Sequence, residues 1–238
     1  MAQSGAKWRK GEARFDEQLS GDRQRVLAIL DVSRETSERL DVYVTLLLKW
    51  QPVINLVSPS TLGGLWTRHI LDSGQILGLA TSHKSWADLG SGAGFPGLVL
   101  AILSMQGAAV RHFHLVESDE RKAGFLREAA RLTGAPVVIH AERAEEVLSR
   151  LQGKVSAVTA RALAPLPRLL ALAEPLLTTG AEGFFPKGLS IESEIQEAAE
   201  LFAFDYRAVP SQSDEKGRIL VIRDLRRRGP LGKVGDGR

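Results

Sequence analysis

The chain has 238 residues, 44% of them hydrophobic, enough to bury one sizeable core in one main domain with an appendage. It has no cysteine, which excludes disulfides, thiolate metal sites and cysteine nucleophiles, and no apolar run of about 18 residues able to span a membrane. The formal charge is only +3, but basic residues gather at both ends, and the opening lacks the apolar centre of a secretory signal.

Lys7, Arg9, Lys10 and Arg14 make residues 1–14 a basic, flexible tail, and residues 226–238, with Arg226, Arg227, Arg228, Lys233 and Arg238, form another. Arg223 adds to the basic finish. Such arms are able to track a phosphate backbone, although solvated tails also suit solubility alone. Residues 15–84 read as a helical cap. Val26, Leu27, Ile29 and Leu30, then Leu40, Val44, Leu47 and Leu48, recur at the spacing of an apolar helix face. Ser37 opens the second helix and Pro52 closes it. A helix starting near Leu65 carries Arg68, His69 and Asp72, which places Arg68 and Asp72 for an exposed i,i+4 pair. Trp50 and Trp66 read as packing residues.

Residues 85–225 alternate strand and helix. Strands are expected at Ser85–Leu89, Phe113–Glu117, Val137–His140, Val155–Thr159 and Gly183–Pro186. Helices follow near Gly97–Ser104, Arg121–Thr133, Ala144–Leu151, Pro167–Leu176 and Ile191–Leu201. Phe204–Val209 and Arg218–Arg223 read as a closing hairpin. The pattern predicts an α/β fold: a mainly parallel, Rossmann-like sheet with helices on both faces and an antiparallel hairpin at one edge.

The first strand exits into Asp88-Leu89-Gly90-Ser91-Gly92-Ala93-Gly94-Phe95-Pro96-Gly97. Gly92 to Gly97 fits G-x-G-x-x-G, a weak signal for a dinucleotide. Asp88 argues against it, because a carboxylate near the loop repels a pyrophosphate but complements the cationic amino and sulfonium groups of S-adenosylmethionine. Glu117, about 20 residues beyond the loop at the next strand end, is placed to accept ribose hydroxyls. Methyl transfer is the favoured chemistry. A dehydrogenase, and a small-molecule methyltransferase on the same fold, remain open at this point.

Five ordered motifs carry a family resemblance: Asn55-Leu56-Val57-Ser58, Arg68-His69-Ile70-Leu71-Asp72-Ser73, Gly94-Phe95-Pro96-Gly97, Arg121-Lys122-Ala123-Gly124-Phe125-Leu126 and Thr159-Ala160-Arg161-Ala162. From Leu40 to Asp224 the chain resembles the bacterial small-subunit ribosomal RNA methyltransferases once called glucose-inhibited division protein B. The resemblance implies a class I S-adenosylmethionine-dependent fold and methylation of N7 of one guanine in 16S ribosomal RNA. Naked RNA and the assembled small subunit both remain possible substrates. A cytoplasmic monomer without metal or membrane partner is expected. By position, Gly90, Gly92, Gly94 and Phe95 match the cofactor loop, Glu117 and Ser118 the ribose end, and Ala144 and Glu145 the adenine end. Arg161 matches an active-site arginine beside the cofactor, and Asn55 and Arg218 match positions that handle guanine or RNA. Gln51 stands where the family commonly has Asn, and Thr159 where Ser is commoner.

Guanine N7 carries a free lone pair, so such an enzyme supplies alignment and charge rather than a base. Arg161, at a strand end, is expected to hold O6, a phosphate or the methionine carboxylate. Lys187 ends strand five beside the same cleft, within reach of an RNA phosphate.

Overall fold

The computed structural model describes residues 3–107 and 110–228, with side chains from Glu17 onward. The side chains of Lys7, Arg9, Lys10 and Arg14, and all of Lys233 and Arg238, lie outside the described residues. Helix α1 (Gln3–Leu30) leads into α2 (Arg34–Trp50). Ser33 caps α2, its hydroxyl accepting the Thr36 N–H at 3.2 Å. Ser37, expected at that start, lies inside the first turn, where its hydroxyl accepts from Arg23 at 2.9 Å. A 3-10 turn (Pro59–Gly64) follows, then a π-helical segment (Trp66–Leu71) where an ordinary helix was expected, then α3 (Asp72–Gly74) and α4 (Ile76–Leu79).

Seven strands form one sheet in the order β3-β2-β1-β4-β5-β7-β6. They are β1 (Ser85–Leu89), β2 (His112–Val116), β3 (Val137–His140), β4 (Ala157–Ala160), β5 (Glu182–Lys187), β6 (Phe202–Pro210) and β7 (Arg218–Arg227). The first five are parallel, and β7 pairs antiparallel with both β5 and β6. Helices α5 (Gly97–Ser104), α6 (Glu120–Thr133), α7 (Ala144–Leu151), α8 (Leu166–Leu177) and α9 (Ile191–Leu201) connect them. The pattern reading thus finds every strand and its order of appearance. It starts β4 too early, at Val155, and makes the hairpin too short.

Alternation along the strands sends side chains to two cores. Trp86, Phe113, Leu115 and Phe184 pack with α2, α5 and α6 on one face; Leu89, Val158 and Phe185 pack with α7 and α8 on the other. Helix α5 lies buried along its whole length, because Leu98-Val99-Leu100-Ala101-Ile102-Leu103 is covered by the sheet on one side and the cap on the other. Asp119 starts α6 by accepting the Arg121 and Lys122 N–H groups at 2.9 and 3.2 Å.

The expected tails are partly structured. Helix α1 begins at Gln3, so residues 3–14 continue into the cap. Strand β7 runs through Arg226 and Arg227. Arg227 pairs with Glu174 and lies over the Phe202 ring at 5.1 Å, while Arg228 donates to the Phe202 carbonyl at 3.2 Å. No described helix is long and apolar enough to cross a membrane.

Candidate active site

Strand order reverses at β1, with β2 and β3 to one side and β4 and β5 to the other. Such a switch point leaves a crevice beyond the carboxyl ends of the strands. The β1 exit floors it. Gly90 and Gly92 hold φ of 65° and 55°, left-handed values that side chains rarely take. A Cβ on Gly97, at the start of α5, would lie 2.6 Å from the Asp88 Cβ, so only glycine lets α5 close onto β1. Tyr43 of α2 donates its hydroxyl to the Ala93 carbonyl at 2.5 Å, tying the cap to the loop.

Two carboxylates organise this turn. Glu117, 7% exposed, accepts the Gly92 N–H at 2.8 Å and the Asp119 N–H at 2.8 Å. Each of its oxygens keeps a further lone pair. Asp88 is 1% exposed and accepts the Gly97 N–H at 3.1 Å and the Thr159 hydroxyl at 2.9 Å. The register of β1 with β4 sets Asp88 opposite Thr159. Burial pushes the Asp88 carboxyl up to about 6. The expected outward role of Asp88, facing a cationic cofactor, is therefore corrected: it is an internal clasp. Its carboxylate already occupies the amino end of α5, where a dinucleotide's pyrophosphate would bind. The preference for a phosphate-free cofactor survives on a different physical ground.

A cleft of about 410 Å³ opens here, lined by Gly90, Gly92, Glu117, Ser118, Ala144, Glu145 and Arg161 from the expected set. Lys122, Glu142, Arg143, Leu163 and Arg168 line it too, and the sequence reading missed them. Gly94 and Phe95 do not face it. Gly94 packs under Leu98, and Phe95, 6% exposed, sits beneath the His69 ring. The donor set suits S-adenosylmethionine: a buried acid at the β2 exit, further acids at Glu142 and Glu145, and loop amides at Gly92 and Gly97 already bound internally.

A second chamber of about 560 Å³ adjoins the first, and residues 161–164 line both. Its wall includes Arg68, Asp72, Lys187, Arg218, Ser211, Ser213 and Asp214. Arg161 stands at the junction. Its Nε lies 3.0 Å from Asp72 Oδ2, Nη1 lies 2.8 Å from His69 Nδ1, and Nη2 donates to the Arg68 carbonyl at 2.9 Å. All three acceptors come from Arg68–Asp72. Burial lowers the Arg161 pKa, opposed by Asp72. Burial also pushes His69 down to about 3, helped by Arg161 and Arg68, so the ring is neutral.

Other expectations change here. Arg68 pairs with Asp214 at 2.9 Å rather than with Asp72, and Asp72 accepts from Ser213 at 2.6 Å. Lys187 donates to Glu194 at 2.7 Å and to the Ala164 carbonyl at 3.0 Å, with its side chain only 10% exposed. Arg218 lines the chamber and donates to the carbonyls of Glu215 and Gly217 at 3.0 and 2.8 Å. Asn55 lines neither cavity; it is exposed, and its carbonyl accepts from Gln51 at 3.1 Å. Gln51 also accepts the Leu56 and Val57 N–H groups at 2.9 and 3.0 Å, which gives it a role as organiser of the turn after α2.

Comparison with known proteins adds independent findings. The family model described as "GidB: rRNA small subunit methyltransferase G" matches residues 36–220. The chain is 51% identical over 206 residues to a ribosomal RNA small subunit methyltransferase G of Methylobacterium nodulans, covering 87% of this chain and 97% of that protein. A protein of the same name from a Bradyrhizobium species is 48% identical over 206 residues, covering 86% and 91%. Among solved structures, an O-methyltransferase from Bacillus cereus in complex with SAH superposes with a TM-score of 0.54 at 14% identity, over 88% of this chain and 100% of that one. MtNAS in complex with MTA and tNA gives 0.52 at 16% identity, over 84% and 81%. At such identities the likeness concerns the fold, which is that of class I methyltransferases.

Proposed function

The chain belongs to the rRNA small subunit methyltransferase G family, and on that premise we propose that it methylates N7 of one guanine in 16S ribosomal RNA. It is an S-adenosylmethionine-dependent methyltransferase; the guanine atom, the assignment of chambers, action as a monomer and a cytoplasmic setting are our reading. The observation that carries it is the shared wall: a nucleoside-sized cleft with an acid at its ribose end adjoins a larger polar chamber, and Arg161 stands between them. S-adenosylmethionine, when bound, supplies an electrophilic methyl whose C–S bond breaks as the N7 lone pair forms the new C–N bond.

Glu117, Ser118, Ala144 and Glu145 hold the nucleoside end in this reading, and Gly90 and Gly92 keep the floor low beneath the methionine end. The target guanine enters the second chamber past Arg68, Lys187 and Arg218. Around Arg161 the described side chains offer no poised base: His69 is neutral with little affinity for a proton, and Asp72 is paired. N7 needs none. Geometry and electrostatics are what this wall provides.

Purified protein incubated with methyl-labelled S-adenosylmethionine and either naked 16S RNA or small subunits tests the proposal. Borohydride–aniline cleavage at one guanine is the expected result, and the better of the two substrates identifies the natural one. Label on a pyrimidine or an exocyclic amine, or none in either RNA, would overturn it.

A further inference from the structure

His69 has no part in the chemistry just described, yet it is held more tightly than a space-filling residue requires. It is 6% exposed, and its ring stacks on Phe95 with centroids 4.8 Å apart and planes 23° from parallel. Both ring nitrogens are engaged. Nδ1 faces Arg161 Nη1 at 2.8 Å, and Nε2 faces Thr61 Oγ1 at 2.9 Å.

These contacts dictate one tautomer. Arginine only donates, so Nδ1 is unprotonated and accepts. The Thr61 hydroxyl gives its own proton to the Ser58 carbonyl at 2.7 Å, so its oxygen accepts from Nε2–H. Two neighbours from different parts of the chain thus independently demand the same neutral imidazole. The charged groups facing it, Arg161 and Arg68, are both cationic and oppose a second proton.

An arginine carries five N–H donors. Asp72, His69 and the Arg68 carbonyl take one from each nitrogen, leaving one N–H free on each terminal nitrogen. The direction of that free pair is set by the three acceptors. Asp72 neutralises the charge and the Arg68 carbonyl fixes one terminal nitrogen, but only His69 pins the other.

We propose that His69 is a positioning residue that orients the Arg161 fork at the wall between the two chambers. It touches neither cofactor nor base and acts through Arg161 alone. The inference rests on the methyl-transfer reading above.

Two substitutions separate this role from packing. The carbonyl oxygen of Asn stands as many bonds from Cα as Nδ1 does, whereas the amide of Gln reaches toward the place of Nε2. Both lose the ring stacked on Phe95. His69→Asn should keep single-turnover methyl transfer within about fivefold of wild type, and His69→Gln should lower it by about thirtyfold or more. Affinity for S-adenosylhomocysteine and the melting temperature should be alike in the two. Equal rate losses, or a loss confined to RNA KM and melting temperature, would overturn the proposal. A wild type that methylates no RNA would instead overturn the functional reading. In that event histidine nitrogen-15 spectra still decide: a neutral ring with unprotonated Nδ1 from about pH 5 to 8 supports the positioning role, and an imidazolium or an Nδ1–H tautomer refutes it.

Discussion

The two cavities share a wall but are made from different materials. The smaller is lined in good part by short runs where strands end and a helix begins: Gly90 and Gly92 after β1, Glu117 and Ser118 after β2, Ala144 and Glu145 at the start of α7. Each piece is a short run of neighbouring residues. The larger is shaped by side chains that meet from distant parts of the chain: Arg68 reaches Asp214 across 146 positions, and Ser213 reaches Asp72 across 141. Half-exposed pairs of the Arg68–Asp214 kind contribute little to stability, so their value lies in shaping a surface. With the proposed assignment of the two chambers, the contrast teaches that a site for a cofactor common to many enzymes is specified locally, and a site for one particular substrate globally.

Arg161 offers the sharpest way to break this division. Arg161→Ala should lower single-turnover methyl transfer by about a thousandfold, and Arg161→Lys by about a hundredfold, since one ammonium cannot serve three acceptors in a plane. Affinity for S-adenosylhomocysteine should change by less than about fivefold in both. An affinity that falls in step with the rate would make Arg161 a holder of the cofactor and not a group that acts on methyl transfer.

Gly92→Val comes next. A Cβ there meets only the Gly90 carbonyl oxygen at 3.8 Å, so there is room for it, but the φ of 55° strains a β-branched residue; the loop should distort locally as the side chain enters the cleft. Calorimetry should show affinity for S-adenosylhomocysteine reduced by about a hundredfold. Unchanged affinity would place the cofactor elsewhere.

Glu117→Ala should weaken the same ligand by about ten- to a hundredfold, the range for losing a charged acceptor. An analogue lacking both ribose hydroxyls should bind wild type and variant nearly equally. If that analogue loses as much as the natural ligand, Glu117 serves only to hold the Gly92 and Asp119 amides.

Asp88 gives the smallest effect and the finest test. Asparagine can accept from Gly97 and donate to Thr159, so Asp88→Asn should leave cofactor affinity within about threefold. Its signature lies in stability against pH. The folded-state pKa of Asp88, about 6, stands above the ordinary carboxylate value, so this group makes stability fall as pH rises from about 4 to 6. His69, lowered to about 3, acts oppositely in the same window, because the unfolded chain takes up the proton first. Removing the Asp88 contribution should make stability climb more steeply with pH between about 4 and 6. An unchanged slope in denaturant titrations would mean that Asp88 titrates normally.

Legibility followed the same division. Strand exits are read from hydrophobic runs ending in glycines or acids, which finds Gly92 and Glu117; Gly90, Ser118, Ala144 and Glu145 come from the resemblance, and all six reach one cleft. The sequence points to Asp88 but not to its direction, because a pattern of types does not say that Thr159 lies opposite it in the next parallel strand. Helical spacing pairs Arg68 with Asp72, yet the turn is π-helical and Asp214 arrives from the hairpin. The resemblance assigns Asn55 to the site, and it lies outside both cavities. Lys122, a member of a quoted motif just past the Asp119 cap, is a missed cleft residue that helix-start spacing points to, as are Arg143 at the start of α7 and Arg168 in the first turn of α8.

The ties on the glycine loop have an entropic consequence. Glu117 holds its Gly92 amide, Asp88 its Gly97 amide, and Tyr43 its Ala93 carbonyl. A turn fastened at three points has little conformational freedom left to surrender, so a ligand meets it already ordered. The Gly92 and Gly97 amides should exchange slowly with deuterated water before any ligand is added, and binding should slow them little further. Because Tyr43 belongs to α2, fraying of the cap would be felt first as faster exchange in a loop fifty positions away.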